Sequence, residues 1–279
     1  MYNTIITPDR IQAFSAYLIK EEKSAVTQEK YLRDVRKFAL FLQEKPITKE
    51  NTIAYKSHLM DSGYLASSIN SMLASVNTFL SFLGLLDCRV KSIRTQRRIY
   101  TCAEKELTRE EYRRLLKVSS SNRKLNMVLQ TICGTGIRVS ELRYFTVESV
   151  RRGEVTVRCK NKTRSVLVPG VLQKRLLKYV KEQGISTGAV FVTRSGKPLD
   201  RSNIWAQMKR LCAAAGVEPA KVFPHNLRKL FARCFYAIEK DIAKLADVLG
   251  HGNIETTRIY IMTTGREHRR QLEQMRLIV

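Results

Sequence analysis

The sequence predicts a mainly α-helical, two-domain protein with one small antiparallel β-sheet. Three observations carry that expectation. Apolar residues recur at helical spacing through most of the chain. The period shortens to two only between Val155 and Val168. A basic stretch around Lys91, Arg94, Arg97 and Arg98 interrupts both patterns. At 279 residues the chain is long enough to bury two cores.

Four helices are expected first. Thr7-Pro8 reads as a cap followed by a first-turn proline, with Ile11, Phe14 and Leu18 on one face behind it. Tyr31, Val35, Phe38 and Leu42 form a second stripe, and a third helix follows Thr48 with Ile53 and Leu59. The fourth carries Ile69, Met72, Val76, Phe79 and Leu83 before Gly84. Residues 1–87 thus read as a small helical domain and 88–105 as a basic linker. Thr108-Arg-Glu-Glu111 is a capping box that opens the second domain, 106–279. Its next helix bears Leu125, Val128, Leu129 and Ile132 and is expected to stop at Gly134 and Gly136. Val155, Val157 and Cys159 alternate on one strand, Val166 and Val168 on the next, joined near Lys160-Asn161-Lys162. A short third strand is expected from Ala189 to Thr193. Helices resume at Asn203, over 226–238, and from Asp241 to Leu249. A last one, 267–279, places Leu272, Met275 and Val279 on one side.

Charge narrows the function. Lys plus Arg number 50 against 25 acidic residues, a formal net of +25 with a pI of about 10.1. The excess is uneven, net +6 over the first hundred residues and +19 over the rest. A folded domain this basic repels itself unless a polyanion neutralises it, and nucleic acid is the commonest soluble polyanion. An anionic membrane would instead want a basic amphipathic helix or a dense cluster beside an apolar segment, and neither stands out. No apolar run approaches the roughly 18 residues of a bilayer span, and the N-terminus has no secretory pattern. Six cysteines without a C-x-x-C pair read as reduced thiols of a cytoplasmic protein.

Familiar phosphate and metal templates are missing: no G-x-x-x-x-G-K-[ST], no G-x-G-x-x-G after a strand, no H-E-x-x-H. No carboxylate cluster suggests paired catalytic metals. What remains are Arg, Lys and His, groups able to stabilise a crowded, negatively charged phosphorus centre by donated hydrogen bonds. They come in a definite order: Gly134-Thr-Gly-Ile-Arg138-Val-Ser-Glu141-Leu142, then Lys160, then Pro224-His225-Asn-Leu-Arg228, then Leu249-Gly-His251-Gly-Asn-Ile-Glu-Thr-Thr-Arg-Ile-Tyr260.

In these boxes the chain resembles the tyrosine recombinase, or phage integrase, family. The resemblance covers the whole second domain, and the helical first domain is similar to that family's core-binding domain. It implies that Arg138 and Arg228 grip the scissile phosphate, where planar guanidinium forks suit oxyanions. A helix expected from Val139 would add its N-terminal amides to the anion site at Arg138. His225, three residues before Arg228, would accept a proton or donate to the phosphate. His251 would donate to it. Tyr260 would be the nucleophile, a phenol of ordinary pKa near 10 that needs cations and a base nearby. His251 and Tyr260 lie nine positions apart, so a break at Gly252-Asn253 is expected to let both point inward. Glu141 is expected to orient Arg138 or support the fold.

Lys160 would protonate the leaving 5′ oxygen from the hairpin tip. The family's turn usually reads K-G-N-K-x-R, whereas this one is a residue shorter, so Lys162 is an alternative general acid. A second departure is Lys229-Leu230, where His then Ser or Thr is usual, which counts against the chromosome-dimer-resolving Xer branch. DNA contacts are expected from Arg94, Arg97 and Arg98 in the linker and from Lys162 and Arg164 in the hairpin. The resemblance further implies a C-shaped clamp on double-stranded DNA sites, a 3′-phosphotyrosyl intermediate, no metal or cofactor, no arm-binding domain, and a tetramer on two sites. The tail 267–279 either packs on its own domain or docks on a neighbouring subunit. The element could be integrated, excised or inverted. A type IB topoisomerase-like enzyme, a non-catalytic DNA-binding regulator and a metal-dependent nuclease are the competing readings.

Overall fold

Thr7, Ser24 and Thr48 each turn a side-chain oxygen onto the amide three residues ahead, starting α1 (Pro8–Lys20), α2 (Ala25–Leu42) and α3 (Lys49–Asp61). Each cap satisfies one of the orphan donors of a first helical turn. Helix α4 (Ala66–Phe82) has no side-chain cap and is held by its apolar face, from Ile69 to Leu80. The computed structural model describes residues 4–94, 105–159, 162–193, 195–262 and 265–275. Two compact units result, Met1–Arg97 and Arg98–Val279.

In the first unit Phe14, Leu18, Val35, Phe38, Val76 and Phe79 form the centre of the core, with Phe14 edge-on to Phe79 at 5.1 Å. Burying side chains of this size is worth about 1.5–3 kcal/mol each. The stripe expected on α3 is rotated: Thr52, Tyr55 and Leu59 are buried, while Ile53 is 48% exposed. Six residues separate Ile53 from Leu59, which puts them about 120° apart on a helix, whereas residues three, four and seven apart share a face. Residues 88–94 are also not free linker. Val90 and Ile93 exchange backbone hydrogen bonds with the side-chain amides of Asn77 and Asn70, and Val90 is buried. Arg97 and Arg98 lie outside the described residues, and Arg94 is exposed at the end of the docked segment.

In the second unit the capping box forms as expected, with Thr108 and Glu111 bonded reciprocally at 2.8 and 3.1 Å before α5 (Arg109–Val118). Helix α6 (Arg123–Thr135) runs through Gly134 and ends at Gly136, whose φ is +65°. A Cβ on Gly136 would stand 2.3 Å from the Phe231 ring, so close packing as well as the left-handed backbone demands glycine there. A 3-10 turn, Val139–Tyr144, leads to α7 (Val147–Arg152). Strands β1 (Glu154–Cys159) and β2 (Lys162–Leu167) pair antiparallel, from Glu154 opposite Leu167 to Cys159 opposite Lys162. Val155, Val157 and Val166 face the core. The expected third strand does not form: Ala189 and Val192 make isolated bridges to Thr146 and Pro198, because the chain turns back at Gly196 instead of running along β1 or β2.

Helices α8 (Gly170–Glu182), α9 (Arg201–Arg210), α10 (Cys212–Ala215) and α11 (Pro224–Glu239) complete the wall around this core. Then come α12 (Ile242–Leu249), α13 (Ile254–Ile261) and α14 (Gly265–Gln274). Among the described residues no helix is long and apolar enough to cross a membrane.

Candidate active site

The expected break after α12 is present. Gly250 takes φ +66°, and Asn253 caps α13 through the amide of Glu255. The chain therefore reverses between His251 and Tyr260, and both rings reach the start of α11. Tyr260, 6% exposed, lies with its ring 5.1 Å from His225 and 5.2 Å from His251. A cleft of about 620 Å³ opens beside them, lined by Arg138, Ser140, Arg201, Trp205, His225, Arg228 and Tyr260.

Arg228 is the most constrained group. Its side chain is buried, donating to the carbonyls of Gly136 and, at 2.7 Å, Leu249. Its Nη2 also stands 2.9 Å from His251 Nε2, while its Nε has no hydrogen-bond partner. Burial, with Arg138 as the next cause, lowers its pKa to about 10. It stays a cation at neutral pH.

Because a guanidinium can only donate, Nε2 of His251 is the acceptor. The ring proton then sits on Nδ1 and is donated to Thr257 Oγ1 at 2.8 Å. Burial and the Arg228, Arg138 and Arg164 charges bring the His251 pKa down to about 4. His251 is thus a neutral prop for Arg228, and the donor role expected of it requires Nε2 to gain a proton or exchange its partner. The His225 pKa is lowered by burial and by Lys229, Arg228, Arg201 and Arg138. His225 is therefore neutral and able to accept a proton.

Arg138 precedes a 3-10 turn, not the α-helix expected, and its own amide is already taken by Glu141 Oε2 at 2.8 Å. The Arg138 amide itself is therefore not free for an anion. Glu141 Oε1 holds Arg138 Nη1 at 3.0 Å, which is the orienting role read from the sequence. Arg138 remains 37% exposed, open toward the cleft.

The hairpin gives a mixed outcome. Lys160 lies outside the described residues, and of Lys162 only the backbone, as the first residue of β2, is described. Arg164 was expected at DNA, but its guanidinium is spent inside the protein on Glu141 and the Val248 carbonyl. Leu230, where a polar residue was usual, is buried in the core, which accounts for an apolar side chain at that position. Arg201 and Trp205 stand outside the ordered boxes, and Thr257 inside the last one. Trp205 is the chain's single tryptophan and 49% exposed on α9, and an Asp200 cap announces that helix. A large aromatic near Arg201 at a capped helix start was the available signal.

The sequence and the fold match known proteins. Residues 105–266 match the Phage integrase family and residues 11–84 match the Phage integrase, N-terminal SAM-like domain. Tyrosine recombinase XerA of Thermococcus kodakarensis is 31% identical over 278 residues, covering 96% of this chain and 95% of that protein. The departure at Lys229-Leu230 therefore does not set the chain apart from proteins carrying the Xer name. The crystal structure of XerA recombinase superposes with a TM-score of 0.55 at 26% identity over 98% of this chain and all of that one. A lambda integrase dimer bound to a COC′ core site gives a TM-score of 0.74 at 17% identity, over 95% of this chain and 79% of that one, a likeness of fold.

Proposed function

This chain belongs to the phage integrase family and is a tyrosine recombinase, and from that premise we propose how its cleft cuts and rejoins a DNA strand. Tyr260 Oη attacks the scissile phosphorus, a 3′-phosphotyrosyl bond forms, and the bond to the 5′ oxygen breaks. The phenol's proton passes to His225, kept neutral by its surroundings. The leaving oxygen takes a proton from Lys160 or Lys162. Arg138 and the unpartnered Nε of Arg228 meet the non-bridging oxygens, and both stay charged in a site that screens them poorly. A partner strand's 5′ hydroxyl then reverses the step, so the phosphodiester bond energy is kept without nucleotide hydrolysis.

The observation that carries this reading is the convergence of His225 and Arg228 from α11, Tyr260 from α13 and His251 from the loop before it, at the edge of one cleft. The linker arginines Arg94, Arg97 and Arg98 would follow the DNA backbone, consistent with the net charge of +25. We assign the reaction to sites of a mobile element in the cytoplasm, with two DNA sites held by a tetramer. The tail supports that assembly, since Leu272 on α14 and Met275 just beyond it are 55% and 56% exposed. Such a head-to-tail contact closes into a ring. Tyr260→Phe should bind a nicked suicide duplex within about twofold of wild type yet give no covalent adduct, while wild type gives it in EDTA. Adduct formation by the Phe variant removes Tyr260 from the chemistry.

A further inference from the structure

Arg164 lies on β2, 23 residues from Glu141 and 84 from Val248, and its fork joins the two. Nη2 donates to Glu141 Oε2 at 2.8 Å, and Nη1 donates to the Val248 carbonyl at 2.7 Å. Its side chain is 15% exposed, so little of it is left for solvent or DNA.

One end of this fork bears on Arg138, which lines the cleft, and the other on His251, which packs against Tyr260. Glu141 is a buried carboxylate that also holds Arg138 through both the main-chain amide and Nη1. A carboxylate taken out of water draws its cations inward unless its lone pairs are filled. Arg164 fills one of them, so Arg138 commits one Nη to Glu141 and keeps the rest of its fork for an anion. At the other end, Val248 belongs to the last turn of α12, where carbonyls have no helical partner. Arg164 caps that turn two residues before Gly250 and three before His251. It also lies across Gly250, where a Cβ would stand 2.3 Å from Arg164 Cδ, so the glycine is required by the arginine as well as by its φ of +66°. A lysine in this place would offer one ammonium where two acceptors need a planar fork.

We propose that Arg164 is a positioning residue of the cleavage reaction, which sets Arg138 through Glu141 and His251 through the end of α12 against the scissile phosphate. This rests on the reading above, that Arg138 faces that phosphate. The test compares two nicked duplexes, one with an ordinary scissile phosphodiester and one with a methylphosphonate there. The methylphosphonate replaces one non-bridging oxygen by a neutral methyl, so the charge that the arginines neutralise is removed.

Arg164→Gln in the full chain should bind both duplexes within about threefold of wild type. It should form the covalent adduct on the phosphodiester about 100-fold more slowly, as expected for weakening one oxyanion donor. On the methylphosphonate its deficit should shrink below about tenfold, and that of Arg138→Ala should shrink with it. An equal deficit of Arg164→Gln on both duplexes, with Arg138→Ala recovering, overturns the positioning role. A salt slope shallower by about one unit, with cleavage of bound DNA intact, also overturns it, because Arg164 is then a backbone contact. If Arg138→Ala itself fails to recover, the phosphate assignment of Arg138 falls, and the inference with it. Should the Gln variant not fold, Arg164→Lys carries the same comparison, since an ammonium reaches Glu141 or Val248 but not both.

Discussion

His251 sits between a cation and a hydroxyl, and that pairing fixes its proton on Nδ1. The consequence is a pH dependence with a definite sign. The unfolded chain takes up the proton near the ordinary histidine value of about 6.5, whereas the folded chain refuses it until about 4. Between those values the unfolded state binds more protons, so stability rises with pH across the window and is complete above it. The lowered His225 adds in the same direction. Thermal melting should therefore drop as pH falls from about 6.5 to 4, and His251→Gln should flatten that drop. A melting temperature unchanged across the window in wild type would contradict the assigned proton. At this scale Arg138, Arg228, His251 and Tyr260 were legible because each lies in an ordered motif. The inward turn of Arg164 was not: it meets its partners across 23 and 84 residues, and no local pattern distinguishes a buried guanidinium from a DNA-facing one.

The helices could be read from period and caps, since those signals lie within one element. Thr108 and Glu111 bond as their spacing required. What failed at this scale depended on neighbours. The strand expected at 189–193 needs a partner ladder that the fold does not supply, and 88–94 became part of the first unit through Asn70 and Asn77 on α4. Gly136 shows how an element end can carry a tertiary demand. Gly136→Ala faces a left-handed φ, worth about 1–2 kcal/mol, and a clash with Phe231 that overpacking of about 1–3 kcal/mol describes. Gly184 has a similar φ of +67° with nothing within 4 Å. Urea unfolding should show Gly136→Ala to be more destabilising than Gly184→Ala by at least about 1 kcal/mol. Equal losses would mean that the Phe231 contact relaxes at no cost.

For the whole molecule, the charge of +25 pointed to nucleic acid before any motif did, and the ordered boxes supplied the chemistry. The proposed tetramer rests on the tail. Deleting 267–279 should leave binding to a single site within about threefold while abolishing synapsis and strand exchange, measured with two labelled sites. Recombination at the wild-type rate by the truncated chain would assign the exposed Leu272 and Met275 to no partner. Assembly matters only if one covalent bond forms first. Trap the wild-type chain on a nicked suicide duplex in EDTA, digest protein and DNA, and locate the joined nucleotide by mass spectrometry. A single modified peptide should carry a 3′-linked nucleotide on Tyr260. A nucleotide on any other residue, or one linked through its 5′ end, would contradict it.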